Sequence, residues 1–203
     1  MMTGEVTSEQ KRIELPQMTE PVKAIFIDPR QQWLYVINGR ALADVFNLRD
    51  NSLNGRYKLL EDGNAEITAS TQLVGGISLI IGNSKGGLAQ WFMARDPDGE
   101  QHLKQIRTFQ MGTAPIVEIT AEQRRKGFTA LDATGQFGVF HSTAHRTLLV
   151  DPVVDGQGVF GLSPRANHVI VEAGGKLQPL LLDNPHPEVS WSALWSKVWY
   201  ENY

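Results

Sequence analysis

Hydrophobic and polar positions alternate along this chain in short runs rather than in helical periods. Between Pro115 and Val150 four apolar runs follow one another, separated by a charged tip, a Gly turn and a polar hairpin. Runs of β-branched and aromatic residues bounded by such turns predict strands, and four of them joined by tight turns predict an antiparallel meander. A single small meander leaves one face uncovered in water, so the same unit is expected to recur.

The unit recurs along most of the chain. An isolated strand is predicted at 11–18, before the first complete unit. The predicted strands of the first two units are 22–28, 33–38, 41–48 and 56–61, then 65–71, 77–83, 88–94 and 103–111. The meander at 115–150 is the third unit, and a last unit has three strands at 159–164, 168–173 and 177–183. The pattern therefore predicts an all-β protein built from repeats.

The spacing of the repeats narrows the fold class. The glycines before the third strands are 48, 48 and 40 positions apart, at Gly39, Gly87, Gly135 and Gly175. Their aromatic or apolar partners are Phe46, Phe92, Phe140 and Leu181. A period of about 40 to 50 residues with four strands per unit is typical of β-propellers. We predict a β-propeller-like fold with WD40- or YVTN-like repeats. Either about four blades close with the help of the 11–18 strand, or the chain is half of a larger ring.

The second strand of each unit is apolar on both faces, which is typical of a strand packed between layers. Ile80, in the second strand of the second unit, is accordingly predicted to be buried. Replacing it with Asp is expected to be strongly destabilising.

Composition excludes several classes of protein. With 203 residues, 41% hydrophobic and 20% charged, the chain can bury a substantial core and is neither disordered nor embedded in a bilayer. A net charge of -3 creates no field that would recruit nucleic acid. Cysteine is absent, which excludes disulfides and thiolate chemistry. The first ten residues lack the apolar core of a signal peptide. The chain is either cytosolic or a fragment of a longer protein, and its last residues favour the fragment.

Those last residues differ from the repeats. After Pro185-His186-Pro187, apolar residues follow helical spacing at Trp191, Leu194, Trp195, Val198 and Trp199, with Ser190 as a plausible N-cap. We predict a propeller-like domain at 1–187 and a short, Trp-rich helix at 188–203. Trp and Tyr gather at membrane interfaces, although a helix that caps the propeller gives the same pattern. The candidate membrane-proximal or partner-binding residues are Trp191, Trp195, Trp199, Tyr200 and Tyr203.

Sequence motifs for catalysis or for nucleotide, metal or anion binding are matched only weakly in this chain. Gly156 to Gly161 matches G-x-G-x-x-G but leads into another strand, so a turn is the better interpretation. His141 and His145 lie in a hairpin, where a spacing of four does not converge on a metal. Asn83 to Gly87 could form an anion-binding nest, but no helix follows it. The sequence predicts no catalytic, cofactor or metal site, and the chain is not expected to be an enzyme.

The tail HPEVSWSALWSKVWYENY resembles the segment ahead of the second transmembrane helix in long phosphate-transport permeases of the PstC type. The resemblance is most specific over 184–203. In those permeases a large soluble insertion separates the first transmembrane helix from the membrane core, and in long members the insertion is propeller-like. The membrane core is missing here, so no transport residue can be assigned to this sequence.

The resemblance implies an extracytoplasmic domain of a phosphate ABC transporter permease, on the periplasmic side of the inner membrane. Its partners would be the other permease subunit and the ATPase, reached through the missing core, and the periplasmic phosphate-binding protein. No cofactor or nucleic acid is implied, and the role would be docking, assembly or regulation. The alternative is a free-standing propeller scaffold that binds proteins, and a propeller enzyme with a cofactor in its channel is a distant third.

Overall fold

The described part of the chain folds into four antiparallel sheets, each a meander in sequence order. The structure, a computed structural model, describes residues 20–124, 126–152, 159–162, 168–173 and 176–181. Sheet A contains β1 (Val22–Ile27), β2 (Trp33–Asn38), β3 (Leu42–Asn47) and β4 (Ser52–Lys58). Sheet B contains β5 (Ile67–Gln72), β6 (Ser78–Asn83), β7 (Gly87–Arg95) and β8 (Gln101–Gln110). The all-β prediction is confirmed for these residues, among which no helix occurs.

Two further sheets complete the described fold. Sheet C contains β9 (Ile116–Ala121), β10 (Gly127–Asp132), β11 (Gln136–His141) and β12 (Arg146–Pro152). Sheet D has three strands, β13 (Val159–Leu162), β14 (His168–Ala173) and β15 (Lys176–Leu181). The predicted strand at 11–18 and the predicted helix at 188–203 lie outside the described residues.

Sheets A, B and C are stacked face to face. Along β6, Leu79 and Ile81 face sheet A, whereas Ile80 between them faces sheet C, as the alternation of a strand requires. The core between A and B includes Tyr35, Ile37, Val45, Leu79, Ile81 and Trp91. The core between B and C includes Ile80, Leu88, Phe109, Phe128 and Phe140. Ile80 has no exposed surface, so its predicted burial is confirmed.

The same side-chain cap closes the turn between the second and third strands of sheets A, B and C. Its members are Asn38, Asn83 and Asp132, whose side-chain oxygen accepts hydrogen bonds from the backbone N–H groups two and four residues further on, at 2.8–3.1 Å. The third residue after each cap has a positive φ: 59° at Ala41, 74° at Gly86 and 84° at Gly135.

The sequence alignment of the repeats was therefore wrong in detail. Ala41 rather than Gly39, and Gly86 rather than Gly87, correspond to Gly135. Counting on from the caps, the aromatic that corresponds to Phe46 and Phe140 is Trp91 and not Phe92. The caps fix the turn conformation through hydrogen bonds, so that even Ala takes the position with positive φ.

Strand β4 is also displaced from its prediction. It begins at Ser52 instead of residue 56, directly after a tight turn in which Asn51 has a φ of 60°. Asp50 accepts a hydrogen bond from the Ser52 backbone N–H at 3.0 Å and so starts the strand early. Leu59, which was predicted to lie within the strand, is buried in the connection to sheet B.

Ala41→Gly should stabilise the protein by about 0.5–1 kcal/mol. The left-handed conformation costs a residue with a Cβ roughly 1–2 kcal/mol, and the extra freedom of Gly in the unfolded chain offsets part of the gain. Urea denaturation followed by circular dichroism measures the change. The control is Gly39→Ala, in the same turn but at a position where φ is not positive. Because Ala is not strained at that position, this substitution should not lower the free energy of unfolding by a similar amount. A destabilised Ala41→Gly variant would contradict the turn geometry.

Candidate functional site

One face of sheet A is not covered by another described sheet. Trp33, Tyr35 and Ile37 point into the core shared with sheet B, so the alternate residues of β2 point the other way. Strand pairing extends this second face across the sheet, because directly opposed residues of antiparallel strands lie on the same side. We call it the outer face of sheet A; its members are Val22, Ile25, Ile27, Leu34, Val36, Asp44, Phe46, Leu53 and Arg56.

The outer face of sheet A is largely apolar: Val36 and Phe46 on its inner strands are buried, whereas apolar residues of its edge strands are open to solvent. Ile25 is 57% exposed, Ile27 50% and Leu53 47%, and each lies opposite another apolar residue of the same face. Val22, at the start of β1, is exposed to a similar degree. A single exposed apolar side chain is ordinary, but several on one sheet face indicate a surface that binds another protein.

An ion pair lies at the centre of this face. The Asp44 carboxylate is fully buried and accepts two hydrogen bonds from the Arg56 guanidinium, Nε to Oδ1 at 2.6 Å and Nη2 to Oδ2 at 2.8 Å. The hydrogen bond and the charge of Asp44 raise the pKa of Arg56 above its usual value. About half of the Arg56 side chain remains exposed. Its planar donors suit a carboxylate or a carbonyl on a partner, as arginines at protein interfaces often do.

The equivalent positions in the other sheets carry no charge pair. Counting from the turn caps, the position of Asp44 is taken by Ala89 in sheet B and Gly138 in sheet C. The residue paired with Ala89 is Thr108, where sheet A has Arg56. The ion pair therefore distinguishes the outer face of sheet A from the two faces that are buried between sheets.

Arg56→Thr should lower the melting temperature, because it leaves the buried Asp44 carboxylate without its partner. The double variant Asp44→Ala/Arg56→Thr, which copies sheet B, should recover most of the loss, because no unpaired charge remains. Thermal unfolding of the wild type, both single variants and the double variant gives the complete cycle. Additive losses in the double variant would show that the pair is not coupled.

The outer face of sheet A carries an aromatic residue at the same position as the faces of sheets B and C that are buried between sheets. Trp91 of sheet B packs into the core with sheet A, and Phe140 of sheet C packs into the core with sheet B. Each of them therefore faces the sheet that precedes its own along the chain. Phe46 occupies the same position in sheet A and lies on the outer face, opposite Leu53. This face is thus built like one that receives another sheet.

The polar groups that the sequence singled out do not converge on a reactive centre. His141 Nδ1 accepts a hydrogen bond from the Ala144 N–H at 3.2 Å, whereas His145 Nε2 lies 2.9 Å from the Thr108 carbonyl oxygen. The Asn83 side chain accepts bonds from the Lys85 and Gly87 N–H groups, which an anion-binding nest would need. Within the described residues, no group of three or more His, Asp or Glu side chains could hold a metal ion.

A shallow groove of about 300 Å³ lies between sheets A and B, lined by Lys23 and by residues 66–70 of β5 and its approach. Its lining is more polar than apolar and contains no pair of groups placed for acid–base chemistry. We therefore take the outer face of sheet A, and not this groove, as the candidate functional site.

The predicted site residues Trp191, Trp195, Trp199, Tyr200 and Tyr203 lie outside the described residues, and so does the first half of Gly156 to Gly161. The sequence missed the outer face of sheet A. Ile25 and Ile27 resemble core residues in the run VKAIFID, and only the turn caps, which align Phe46 with Trp91, could have indicated which face they share.

No protein-family model matches this chain. No curated protein matches it in sequence either. Across the part of the chain that the structure describes, no helix has both the length and the apolar character needed to cross a membrane.

Proposed function

We propose that this chain is a protein-binding domain that acts through the outer face of sheet A, and that it serves a phosphate ABC transporter permease on the periplasmic side of the membrane. The observation that carries the proposal is the group of exposed apolar side chains on the edge strands of this face, with the half-exposed Arg56 beside them. A flat sheet face with an arginine anchor suits docking to another protein better than chemistry on a small substrate.

We further propose that the sheets are arranged as propeller blades. Successive sheets A, B and C pack face to face, and like strands lie next to each other, β5 beside β9 and β4 beside β8. Radial repetition of four-stranded meanders is the architecture of propellers. In this arrangement the outer face of sheet A is one end of the stack.

The permease assignment is supported by the resemblance of 184–203 to the segment ahead of a membrane helix in PstC-type permeases. A repeat domain at that place would dock the periplasmic phosphate-binding protein or the neighbouring permease subunit, or would help the subunits assemble. The domain itself contributes binding rather than transport. The second candidate, a free-standing scaffold, is supported by the same outer face and requires no membrane.

The sequence of the native gene distinguishes the permease proposal from the free-standing scaffold. The permease proposal expects codons after Tyr203 to encode an apolar span of about 20 residues within a few tens of residues. A stop codon directly after Tyr203 would contradict it and favour the scaffold.

The docking role is tested in the parent transporter. Ile25→Asp is expected to reduce the amount of periplasmic binding protein or partner subunit that co-purifies with the permease, because a charge on an apolar contact surface opposes desolvation. Ile77→Asp is the matched control: Ile77 is 56% exposed, as open as Ile25, but lies in the β5–β6 turn of sheet B. If both variants retained as much binding protein and partner subunit as the wild type does, the docking role would be wrong.

A further inference from the structure

We propose that the turns between the first two strands of sheets A, B and C form a cationic surface that binds an acidic segment of another protein. We call this surface the turn row; its described members are residues 29–30, 74–76, 124 and 126. The turn row lies at one end of the sheets and shares no residue with the outer face of sheet A. The proposal therefore does not depend on the docking role of that face.

The three turns are joined through the middle one. A Cβ built on Gly76 would lie 2.7 Å from the Cγ of Pro29, so the turn of sheet B packs directly against the turn of sheet A. Gln72 Nε2 also donates across the two sheets, to the carbonyl oxygen of the last residue of β1 at 3.0 Å. On the other side, Lys126 Nζ donates to the Val74 carbonyl oxygen at 2.5 Å. These contacts make the turn row one continuous surface, whose shape is set before a partner binds.

The acidic residues of these hairpins are turned inward. Asp28 is 8% exposed, and its carboxylate accepts the backbone N–H groups four and five residues further on, each at 2.6 Å. Glu122 in sheet C and Leu73 in sheet B occupy the same place, because all three backbone N–H groups donate to the carbonyl oxygen of the fifth residue on, at 2.9–3.0 Å. Both Glu122 and Leu73 are buried. The first turns thus present no carboxylate of their own at the surface of the turn row.

The charges that the turn row does present are cationic. Arg30, Arg124 and Lys126 are exposed, and none of them forms an ion pair with another residue that the structure describes. The whole chain has a net charge of -3, so this surface has the opposite sign to the protein that carries it. Arginine binds a carboxylate through two parallel hydrogen bonds, and lysine adds a mobile positive charge. The turn row therefore suits a segment with several carboxylates.

Acidic residues at the same end of the sheets favour a protein segment over a membrane as the partner. The β7–β8 turn has Asp98 and Glu100 exposed. Gln101 follows directly and lies beside the first turn of sheet A, where Gln32 Nε2 donates to its Oε1 at 3.4 Å. A planar anionic membrane would meet these carboxylates together with the turn row and be repelled by them. A narrow acidic segment can lie along the turn row alone.

The experiment measures binding of a short fluorescent peptide, in which glutamate alternates with glycine, to the 203-residue chain by fluorescence anisotropy. The wild type should bind the peptide at low ionic strength, and added salt should weaken binding. Arg30→Glu and Arg124→Glu, in two different sheets, should each lower the affinity at least about tenfold, because each replaces an attraction by a repulsion. Circular dichroism checks the fold, and Arg30→Gln replaces Arg30→Glu if that variant is misfolded.

Lys58→Glu is the matched control. It changes the net charge by the same amount at another exposed cation, but Lys58 pairs with Leu42 and so lies at the opposite end of sheet A. This variant should bind the peptide as tightly as the wild type does. Similar weakening by Lys58→Glu and by the arginine variants would overturn the proposal, since binding would then follow net charge alone.

Two further results would contradict an acidic protein segment as the partner. The first is a wild type that does not bind the glutamate peptide at low ionic strength. The second is binding to phosphatidylserine vesicles that Arg30→Glu and Arg124→Glu both abolish, which would identify the turn row as a membrane contact. We expect the vesicles not to bind, because the exposed carboxylates of the β7–β8 turn oppose them.

Discussion

Ile80→Asp should destabilise the protein by about 3–5 kcal/mol, enough to unfold much of a domain of ordinary stability. Ile80 is completely buried in the core between sheets B and C, among Leu88, Phe128 and Phe140. The carboxylate would have no cation there to pair with it, and the packing of the isoleucine would be lost as well. Urea titration followed by circular dichroism and tryptophan fluorescence gives the free energy of unfolding.

Ile77→Asp provides the comparison for this variant as well. It makes the same chemical change three residues earlier in the chain, at a side chain that is 56% exposed, and should alter the free energy of unfolding by no more than about 0.5 kcal/mol. If Ile80→Asp melted within about 2 °C of the wild type, the inward direction of Ile80 would be wrong.

Gly86→Ala should cost about 3 kcal/mol or more. Gly86 has a φ of 74°, and a Cβ built on it would lie 2.5 Å from the carbonyl oxygen and 2.7 Å from the carbonyl carbon of Gly112. Those atoms are backbone and cannot rotate away, and the Gly86 carbonyl also accepts the Met111 N–H at 3.0 Å. The substitution therefore separates the capped turn of sheet B from the segment that leads into sheet C.

Gly99→Ala isolates the part of this cost that comes from the backbone. Gly99 has a φ of 89°, but a Cβ on it would meet no atom within 4 Å. Only the left-handed conformation is penalised, by roughly 1–2 kcal/mol. Thermal melts of both variants measure the difference, and equal losses would show that Gly112 can shift to make room.

Most of the strands could be predicted because alternation and turn residues are local signals. WLYVIN and SLIIGN are apolar on both faces and became β2 and β6, the inner strands of their sheets. The conformations of the turns were harder to predict, because the sequence favoured Gly39 as the turn residue. The hydrogen bonds of the Asn38 side chain place the positive φ at Ala41 instead.

The candidate site was less predictable than the fold. Ile25 and Ile27 are as apolar as any core residue, and nothing local in the sequence indicates that their side chains remain about half exposed. Asp44 and Arg56 are twelve residues apart and meet only because β3 and β4 pair in the observed register. Such a pair depends on the register of β3 and β4, and the sequence predicts β4 to begin at residue 56 instead of Ser52.

Every described pairing joins strands that are consecutive in the chain, which has a consequence for synthesis on the ribosome. Sheet A can form its hydrogen bonds as soon as Lys58 has left the exit tunnel, because it needs no residue from later in the chain. The side of sheet A that bears Tyr35 and Val45 nevertheless remains exposed to water until sheet B has been synthesised and has packed against it. Each newly made sheet thus shelters the one made before it, and the nascent protein always has one freshly made apolar side in need of protection by the next segment or by a chaperone.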